Sequence, residues 1–249
     1  MIRISIVTIT YNAAKVLQRT LDSVSSQTYS GIEHLIIDGA SKDGTVAMAE
    51  AYRQRVSYDV IIQSEPDKGI YDAMNKGLQR ATGDYIVFMN AGDTFHEPAT
   101  LELLTHNPSS SPAVFYGDTD IVDAEGRFLR KRHLSAPERL TWRSFRQGML
   151  VCHQAFYARL DIARNIPYDL QFRHSADVDW CIRVMKEAER LGLPMVNVHA
   201  VVADFLDGGD STQNHRASLR ERFAVMRRHY GLPVTVAMHV WFLLRASFK

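Results

Sequence analysis

Three runs of acidic residues and glycines each follow an apolar, strand-like segment within the first 93 residues of this chain. They are residues 38–45 (DGASKDGT), 67–77 (DKGIYDAMNKG) and 90–93 (NAGD). An open α/β sheet holds its ligand at the carboxyl ends of its strands, which is where these runs would lie. Acidic groups at strand ends suit a sugar hydroxyl or a divalent cation better than a bare phosphate. The pattern therefore predicts an α/β fold with its ligand site along one end of the sheet.

Strand-like and helix-like periodicities alternate through the first half of the chain, with predicted strands at 2–10, 33–38, 58–63 and 84–90. Predicted helices lie between them, and Asn12 is placed as the N-cap of the first. Such an alternation predicts a mostly parallel, Rossmann-like sheet flanked by helices.

The pattern changes at residue 107, where the segment NPSSSP predicts a loop. Beyond it we expect a mixed half, with strands that include 114–116, 119–122 and 153–157, and then two C-terminal helices. We therefore predict one domain over residues 1–215, with halves at 1–106 and 107–215. A basic and apolar helical extension follows over residues 216–249.

Composition excludes several classes of protein. The net charge of +1 argues against a nucleic-acid binder that depends on phosphate contacts. The two cysteines, Cys152 and Cys181, lack metal-type spacing, so we expect reduced thiols in a cytoplasmic protein. We expect no secretory leader, and no run approaches the roughly 20 apolar residues of a membrane span.

Two acidic residues at strand ends are candidate ligand contacts. Asp38 could accept hydrogen bonds from a ribose or a base imide, and a turn residue bonded to its own backbone is an equal alternative. Asp93, which follows Asn90 after an apolar strand, could hold Mg²⁺ or Mn²⁺ against a diphosphate. The alternative for Asp93 is another strand-end turn.

Asp177 and Asp179 lie at the start of a predicted helix, where a carboxylate could deprotonate a hydroxyl nucleophile as general base. Without further context the structural alternative is favoured, because acids in a first helical turn offset the helix dipole. Residues 208–212 (GGDST) could approach a phosphate or form a plain loop. For the pair His153 and Gln154 a structural role is favoured over metal binding.

Taken together, these motifs resemble the family 2 glycosyltransferases of the GT-A fold, and most closely the bacterial branch that builds exopolysaccharides such as colanic acid. The resemblance covers about residues 2–215. The motifs that carry it are residues 5–12, 37–45, 64–77, 153–154, 175–177 and 208–212.

The resemblance implies a role for each matching residue. It makes 1–106 the nucleotide-sugar half and 107–215 the acceptor half. It implies Asp177 as catalytic base, with Asp179 as a substitute, and Asp93 as the ligand of Mg²⁺ or Mn²⁺. The residues implied to bind the nucleotide-sugar are Thr8, Tyr11, Asp38, Asp67, Gly69, Asn75 and Asn90. Those implied for an acceptor and diphosphate loop are His153, Gln154, Gly208, Gly209 and Ser211.

Two positions depart from the family pattern. Asn90 and Gly92 stand where the usual acidic run has its first two acids, although the bacterial branch tolerates an Asn-Ser-Gly-Asp form. Ala176 stands where many members carry an acid, which leaves Asp177 as the base.

The activity implied is an inverting transfer from a nucleotide-sugar to a hydroxyl of a saccharide or polyprenyl-linked saccharide. UDP is the more common donor base in the family. The extension at 216–249 would then contact the inner face of the cell membrane as a peripheral protein, the alternative being a helix packed on the core. A non-catalytic nucleotide-sugar-binding protein is the second hypothesis. It is suggested because the motif at 90–93 has fewer acids than the usual run of the family. A nucleotidyltransferase or a Rossmann dehydrogenase would require a glycine-rich loop after the first strand, which this sequence lacks.

Overall fold

The computed structural model describes residues 1–105, 111–208 and 215–247. In these ranges, strands β1–β9 are Ile4–Thr10, Ile32–Asp38, Asp59–Ser64, Tyr85–Phe88, Thr94–Phe95, Val114–Val122, Phe128–Lys131, Phe156–Arg159 and Met195–Leu206. Helices α1–α8 are Leu17–Ser25, Thr45–Arg53, Ile70–Arg80, Thr100–Leu103, Leu160–Ala163, Ala176–Arg190, His215–Tyr230 and Leu232–Ser247. Short 3₁₀ helices lie at Trp142–Gln147 and His153–Ala155.

The strands form one sheet in the order β3-β2-β1-β4-β8-β6-β9-β5, and β7 pairs with β6. β1 to β4 are parallel, whereas β8 runs antiparallel to both β4 and β6. β6 and β9 are parallel to each other, and the two-residue strand β5 lies antiparallel to β9 at the edge. The α/β fold class predicted from the sequence is thus confirmed.

Helices cover both faces of the parallel half, which explains why every residue of β1 is buried. On one face α1 and α2 pack on the sheet through Leu17, Leu21, Ile36 and Tyr52. On the other, α3 and α6 cover an aromatic cluster in which Trp180 stacks on Tyr168 at 5.0 Å between ring centres.

A buried histidine joins the sheet to α2. The His34 ring lies 2.9 Å from Thr8 Oγ1 through Nε2 and 2.8 Å from Tyr52 Oη through Nδ1. Burial lowers the pKa of His34 to about 3, so the ring is neutral at physiological pH. Thr8 itself is fully buried in this contact.

Local structure differs from the sequence-based prediction at three places. Asn12 does not cap α1, because a turn from Ala13 intervenes; its side chain accepts a hydrogen bond from Lys42 N at 2.9 Å, at a backbone φ of 48°. The strand expected from His153 begins at Phe156, after the 3₁₀ helix. The two short strands expected near 114 and 119 are one strand, β6.

The C-terminal helices are tied to the rest of the chain by polar contacts. Glu221 of α7 accepts hydrogen bonds from Arg173 N (2.9 Å) and His174 N (2.7 Å), just before α6. No helix in the described ranges is both long enough and apolar enough to cross a bilayer. The predicted boundary at 106–107 lies outside the described residues, and the division into halves and extension stays a prediction.

Candidate functional site

The carboxyl ends of three parallel strands meet at Asp38. Thr10, Asp38 and Ser64 are register partners at the ends of β1, β2 and β3. Asp38 accepts hydrogen bonds from Thr10 Oγ1 (2.9 Å), Ser64 Oγ (2.6 Å), and the backbone and hydroxyl of Ser41 (2.8 and 2.5 Å). Burial alone would raise the pKa of Asp38, but these bonds outweigh it and the pKa lies below its usual value. A charged Asp38 therefore fixes the strand ends beneath the site.

Gly39 lies next to two further residues of the site, Tyr11 and Asp67. A Cβ atom at Gly39 would lie 2.5 Å from Asp67 Oδ2 and 3.3 Å from Tyr11 Cδ2, so a larger residue would have to displace the Asp67 side chain. Tyr11 is 67% exposed, and Asp67 accepts a hydrogen bond from Gly69 N at 2.9 Å. Gly69, at a φ of 117°, begins α3. Tyr11, Asp67 and Gly69, all predicted site residues, thus lie near Gly39, the residue that follows Asp38.

Asp93 is a buried carboxylate at the turn after β4, only 4% exposed. Its Oδ2 accepts a hydrogen bond from Gln154 Nε2 at 2.5 Å, and its Oδ1 accepts one from Leu206 N at 3.0 Å. Burial raises the pKa of Asp93 to about 7, although the bonds from Leu206 and Gln154 act in the opposite direction. The structure therefore brings two predicted residues, Asp93 and Gln154, into direct contact.

The turn that carries Asp93 depends on a glycine. Gly92 has a φ of 99°, and a Cβ atom there would lie 2.7 Å from Leu206 Cδ2. Thr20 of α1 accepts a hydrogen bond from Gly92 N and donates one to Asp93 O, both at 2.8 Å. The absence of an acid at position 92 thus has a steric reason.

The oxygen chemistry around this turn fits a hard divalent cation. Among the described residues, buried Asn90 Oδ1 has no hydrogen-bond partner, and the Asp93 carboxylate lacks an ion pair. Amide and carboxylate oxygens are the ligands that Mg²⁺ and Mn²⁺ prefer. A single carboxylate leaves most coordination positions to a diphosphate or to water.

Asp177 occupies the first turn of α6 and is half-buried. Its Oδ1 accepts a hydrogen bond from Tyr71 Oη of α3 at 3.1 Å. Burial and the Asp177 charge raise the pKa of Tyr71 well above its usual value, so the phenol remains a donor. Tyr71 also stacks on Tyr168 at 5.6 Å between ring centres, which fixes the direction of its hydroxyl.

Asp179 has a structural environment that argues against its use as a substitute base. It is fully buried, and Arg183 Nε donates to its Oδ2 at 2.6 Å. His229 of α7 lies 2.8 Å from its Oδ1 and also accepts from Lys186 Nζ at 3.0 Å, so His229 donates to Asp179 through Nε2. Burial would raise the pKa of Asp179, but His229 and Arg183 hold it below its usual value. Both oxygens are occupied and no solvent reaches them.

Three other predicted residues have partners within the protein. His153 is 4% exposed, lies 2.7 Å from Tyr168 Oη through Nε2, and has a pKa lowered to about 4 by burial. Asn75 exchanges two hydrogen bonds with the backbone of Tyr168, at 2.7 and 3.0 Å. Thr8 is bonded to His34 as described above. This geometry argues against direct ligand contact by the three side chains and favours a role in holding the site together.

Cys152 links the two carboxylates of the site. Its thiol donates to Gln154 Oε1 at 3.0 Å, and Gln154 in turn donates to Asp93. Burial raises the pKa of the Cys152 thiol, and the charges of Asp93 and Asp177 raise it further. Asp93 and Asp177 therefore both lie near enough to Cys152 for their charges to act on its thiol.

The described residues include only part of the predicted acceptor and diphosphate loop. Gly208 has a φ of 85°, two residues after the end of β9, whereas Gly209 and Ser211 lie outside the described residues. Sequence reasoning missed Tyr71, Thr20 and Leu206. Only Tyr71 lies inside a motif that had been singled out.

The chain belongs to glycosyl transferase family 2, whose family model matches residues 5–166. This range includes Asp38, Asp67, Asp93 and Gln154 but ends before Asp177. The chain is also similar to a PGL/p-HBAD biosynthesis glycosyltransferase of Mycobacterium tuberculosis, at 33% identity over 211 residues, or 82% of this chain and 77% of the relative. The predicted family is thus confirmed, whereas this relative does not single out the colanic-acid-type branch.

Two solved structures share the fold. S. aureus TarS 1-349 in complex with UDP-GlcNAc matches with a TM-score of 0.70 at 16% identity, over 90% of this chain and 64% of that one. The mannosyltransferase PcManGT from Pyrobaculum calidifontis, in complex with GDP-Man and Mn2+, matches with a TM-score of 0.63 at 17% identity, over 95% and 74%. The chain spans less than two thirds of the length of the TarS chain.

Proposed function

We propose that this protein transfers a sugar, with inversion, from a nucleotide-sugar to a hydroxyl group of a saccharide or lipid-linked saccharide. The acceptor oxygen attacks the anomeric carbon while the bond to the donor diphosphate breaks. The acceptor proton passes to Asp177, and the nucleoside diphosphate leaves. Such general-base assistance contributes typically about 10²–10⁴-fold.

The position of Asp177 carries this proposal. It is the half-buried carboxylate of the pair on α6, it accepts a hydrogen bond from Tyr71, and its charge and that of Asp93 both act on the Cys152 thiol. A base near a diphosphate-binding turn suits an in-line displacement. The donor would lie beside Tyr11, Gly39 and Asp67.

Asp93 and Asn90 would hold Mg²⁺ or Mn²⁺ together with the donor diphosphate. A cation bound there supplies positive charge for the developing charge of the leaving group. The protein contributes the fixed turn, since Thr20, Gln154 and Leu206 hold Asp93 in one orientation.

The donor we propose is a UDP-sugar. The fold match to TarS in complex with UDP-GlcNAc supports UDP, and the match to PcManGT with GDP-Man keeps GDP as the alternative. The setting we propose is the synthesis of bacterial surface glycans of the exopolysaccharide type, on the inner face of the cell membrane. The PGL/p-HBAD biosynthesis name of the mycobacterial relative supports a glycoconjugate product in general.

An exposed apolar stripe supports contact with a membrane surface. Leu232, Val236, Val240 and Leu244 recur every four residues along α8 and are 52%, 46%, 51% and 55% exposed. Exposed arginines of α7 lie nearby in the chain, and this combination suits the headgroup region of an anionic bilayer. Val240→Glu should weaken sedimentation of the full chain with phosphatidylglycerol vesicles. The control Leu129→Glu, at a 48% exposed residue of β7, should not.

The first experiment is a donor titration with UDP- and GDP-sugars, with and without Mn²⁺, followed by thermal stability and nucleotide release. We expect stabilisation by one donor and slow metal-dependent release of its diphosphate. Asp93→Asn should abolish the metal effect. No response of the folded protein to any donor would contradict the proposal.

A non-catalytic nucleotide-sugar-binding protein is the second candidate. One observation favours it, because both oxygens of Asp93 are already hydrogen-bonded inside the protein. Stabilisation by a donor without release, in the presence of saccharide acceptors and Mn²⁺, would establish this alternative.

A further inference from the structure

A second group of metal-binding side chains lies where β5, β6 and β9 adjoin. His96, Asp120 and Asp204 each present one ligand atom, and these three atoms lie within 4.8 Å of one another. No other set of three or more His, Cys, Asp or Glu side chains in the described ranges is placed in this way, and Asp93 is not a member. The group is therefore distinct from the proposed diphosphate site.

The pairing of three strands fixes these positions. Asp120 of β6 and Asp204 of β9 are register partners, and Asp204 is also the partner of Thr94 in β5. His96 comes directly after β5, next to this pairing. The set is built on the sheet and does not depend on a mobile loop.

An ordinary ion pair accounts for only two of the three residues. His96 Nδ1 lies 2.8 Å from Asp204 Oδ1. Asp120 is 9% exposed, and within the described ranges it has neither a hydrogen-bond donor nor an ion-pair partner. Two carboxylates this close repel each other, and a cation bound between them would remove that repulsion.

The nearby charges do not supply that cation. Arg19 of α1 lines the same cleft as His96 and Asp204, but its Nη1 donates to the carbonyls of Asp123 and Ala124 at 2.9 and 3.4 Å. Lys131 of β7 is the register partner of Asp120, but the described residues show no ion pair between the two side chains within 4 Å.

We propose that His96, Asp120 and Asp204 bind one first-row transition-metal dication of the Zn²⁺ or Mn²⁺ type. One imidazole and two carboxylates are a ligand set that these ions accept, with water in the remaining positions. Asp204 and His96 also line an open cleft of about 490 Å³, through which an ion and its water can enter. Through His96, Asp120 and Asp204, the bound ion links the end of the two-residue strand β5, which directly follows Asp93, to the longer strands β6 and β9.

The test is a titration of the full-length, metal-free protein with Zn²⁺ in competition with a chromophoric chelator. We expect one equivalent bound by the wild type and by Asp93→Asn. His96→Gln and Asp120→Asn should each bind at least about tenfold more weakly, because one of three protein ligands is lost. The matched control is His199→Gln, since His199 is an exposed histidine 3.7 Å from Glu138 without a third ligand, and it should bind as the wild type does.

Three results would overturn the proposal: no Zn²⁺ binding by the wild type, unchanged affinity in both ligand variants, or loss of the site in Asp93→Asn. Thermal unfolding in chelator checks that each variant folds. Asp120→Asn removes the unpaired charge and should leave the metal-free protein at least as stable as the wild type. It therefore decides the question even if His96→Gln does not fold.

Discussion

Asp177 and Asp179 lie two residues apart in the first turn of α6, but the same substitution should affect them in opposite ways. Asp177→Asn changes a half-buried carboxylate that accepts a hydrogen bond from the Tyr71 hydroxyl. Asn can still accept that bond, so we expect little change in stability. Turnover should fall by about 10²–10⁴-fold, the usual contribution of a general base. Donor binding should be retained.

Asp179→Asn removes a fully buried charge that is paired with Arg183 and accepts a hydrogen bond from His229. Breaking one side of such a pair costs about 3–5 kcal/mol, and we expect about 3 kcal/mol because the Arg183 side chain is 27% exposed and can recover some hydration. For a chain of this size that loss lowers the melting temperature by about 6–12 °C. Residual activity per folded molecule should stay measurable.

The assay combines thermal unfolding with single-turnover release of nucleotide at saturating donor, corrected for the folded fraction. An Asp177→Asn enzyme with wild-type turnover would refute the assignment of the base. An Asp179→Asn protein with the same melting temperature as the wild type would refute the argument from the buried ion pair with Arg183. Loss of both properties in both variants would mean that α6 acts as one unit and that the roles cannot be separated.

Three further predictions concern the supports of the site. Tyr71→Phe keeps the stacking on Tyr168 but loses the bond to Asp177, so kcat should fall by about tenfold with an unchanged melting temperature; an unchanged kcat would exclude Tyr71 as a positioning residue. Gly92→Ala should cost about 1–3 kcal/mol in chemical denaturation, because of its φ of 99° and the Leu206 contact, and more than the control Gly192→Ala, whose Cβ would meet nothing within 4 Å. His34 has a folded pKa of about 3, below its unfolded value, so the unfolded state binds the extra proton and stability falls as pH drops from about 6.5 toward 3. In His34→Gln this fall should be shallower by up to about 1.4 kcal/mol per pH unit, and equal slopes in the two proteins would show that His34 is not neutral in the fold.

The sequence predicted the sheet well because each parallel strand is a short apolar run followed by a turn signal. All residues of β1 and β2 are buried, so their composition alone marks them. The long strand β6 was harder to predict, since Gly117 interrupts its apolar pattern. A Cβ atom there would lie 2.6 Å from Ala200 O, so this glycine reflects a close backbone approach and not the end of a strand.

The roles predicted for Asp67 and Asp177 stay predictions. The sequence does not show where a polar residue in a motif serves the fold. The resemblance implied direct roles for Asn75, His153 and Asp179, yet their partners are Tyr168 and His229, which are remote in the chain. Such long-range hydrogen bonds leave no local periodicity, so only the folded structure separates the two kinds of residue.

The turn at Asp93 links metal and donor binding physically. Gly92 cannot be an acid because of its backbone conformation and its contact with Leu206, so one carboxylate must serve where the family usually has more. That carboxylate is buried, and burial raises its pKa to about 7, so its charge needs a cation. One carboxylate binds Mn²⁺ weakly, and diphosphate oxygens must complete the coordination. Mn²⁺ should therefore bind this turn much more tightly when UDP is present. The comparison is best made in His96→Gln, which removes the second proposed site. Equal affinity with and without UDP would contradict the assignment of Asp93 to the diphosphate.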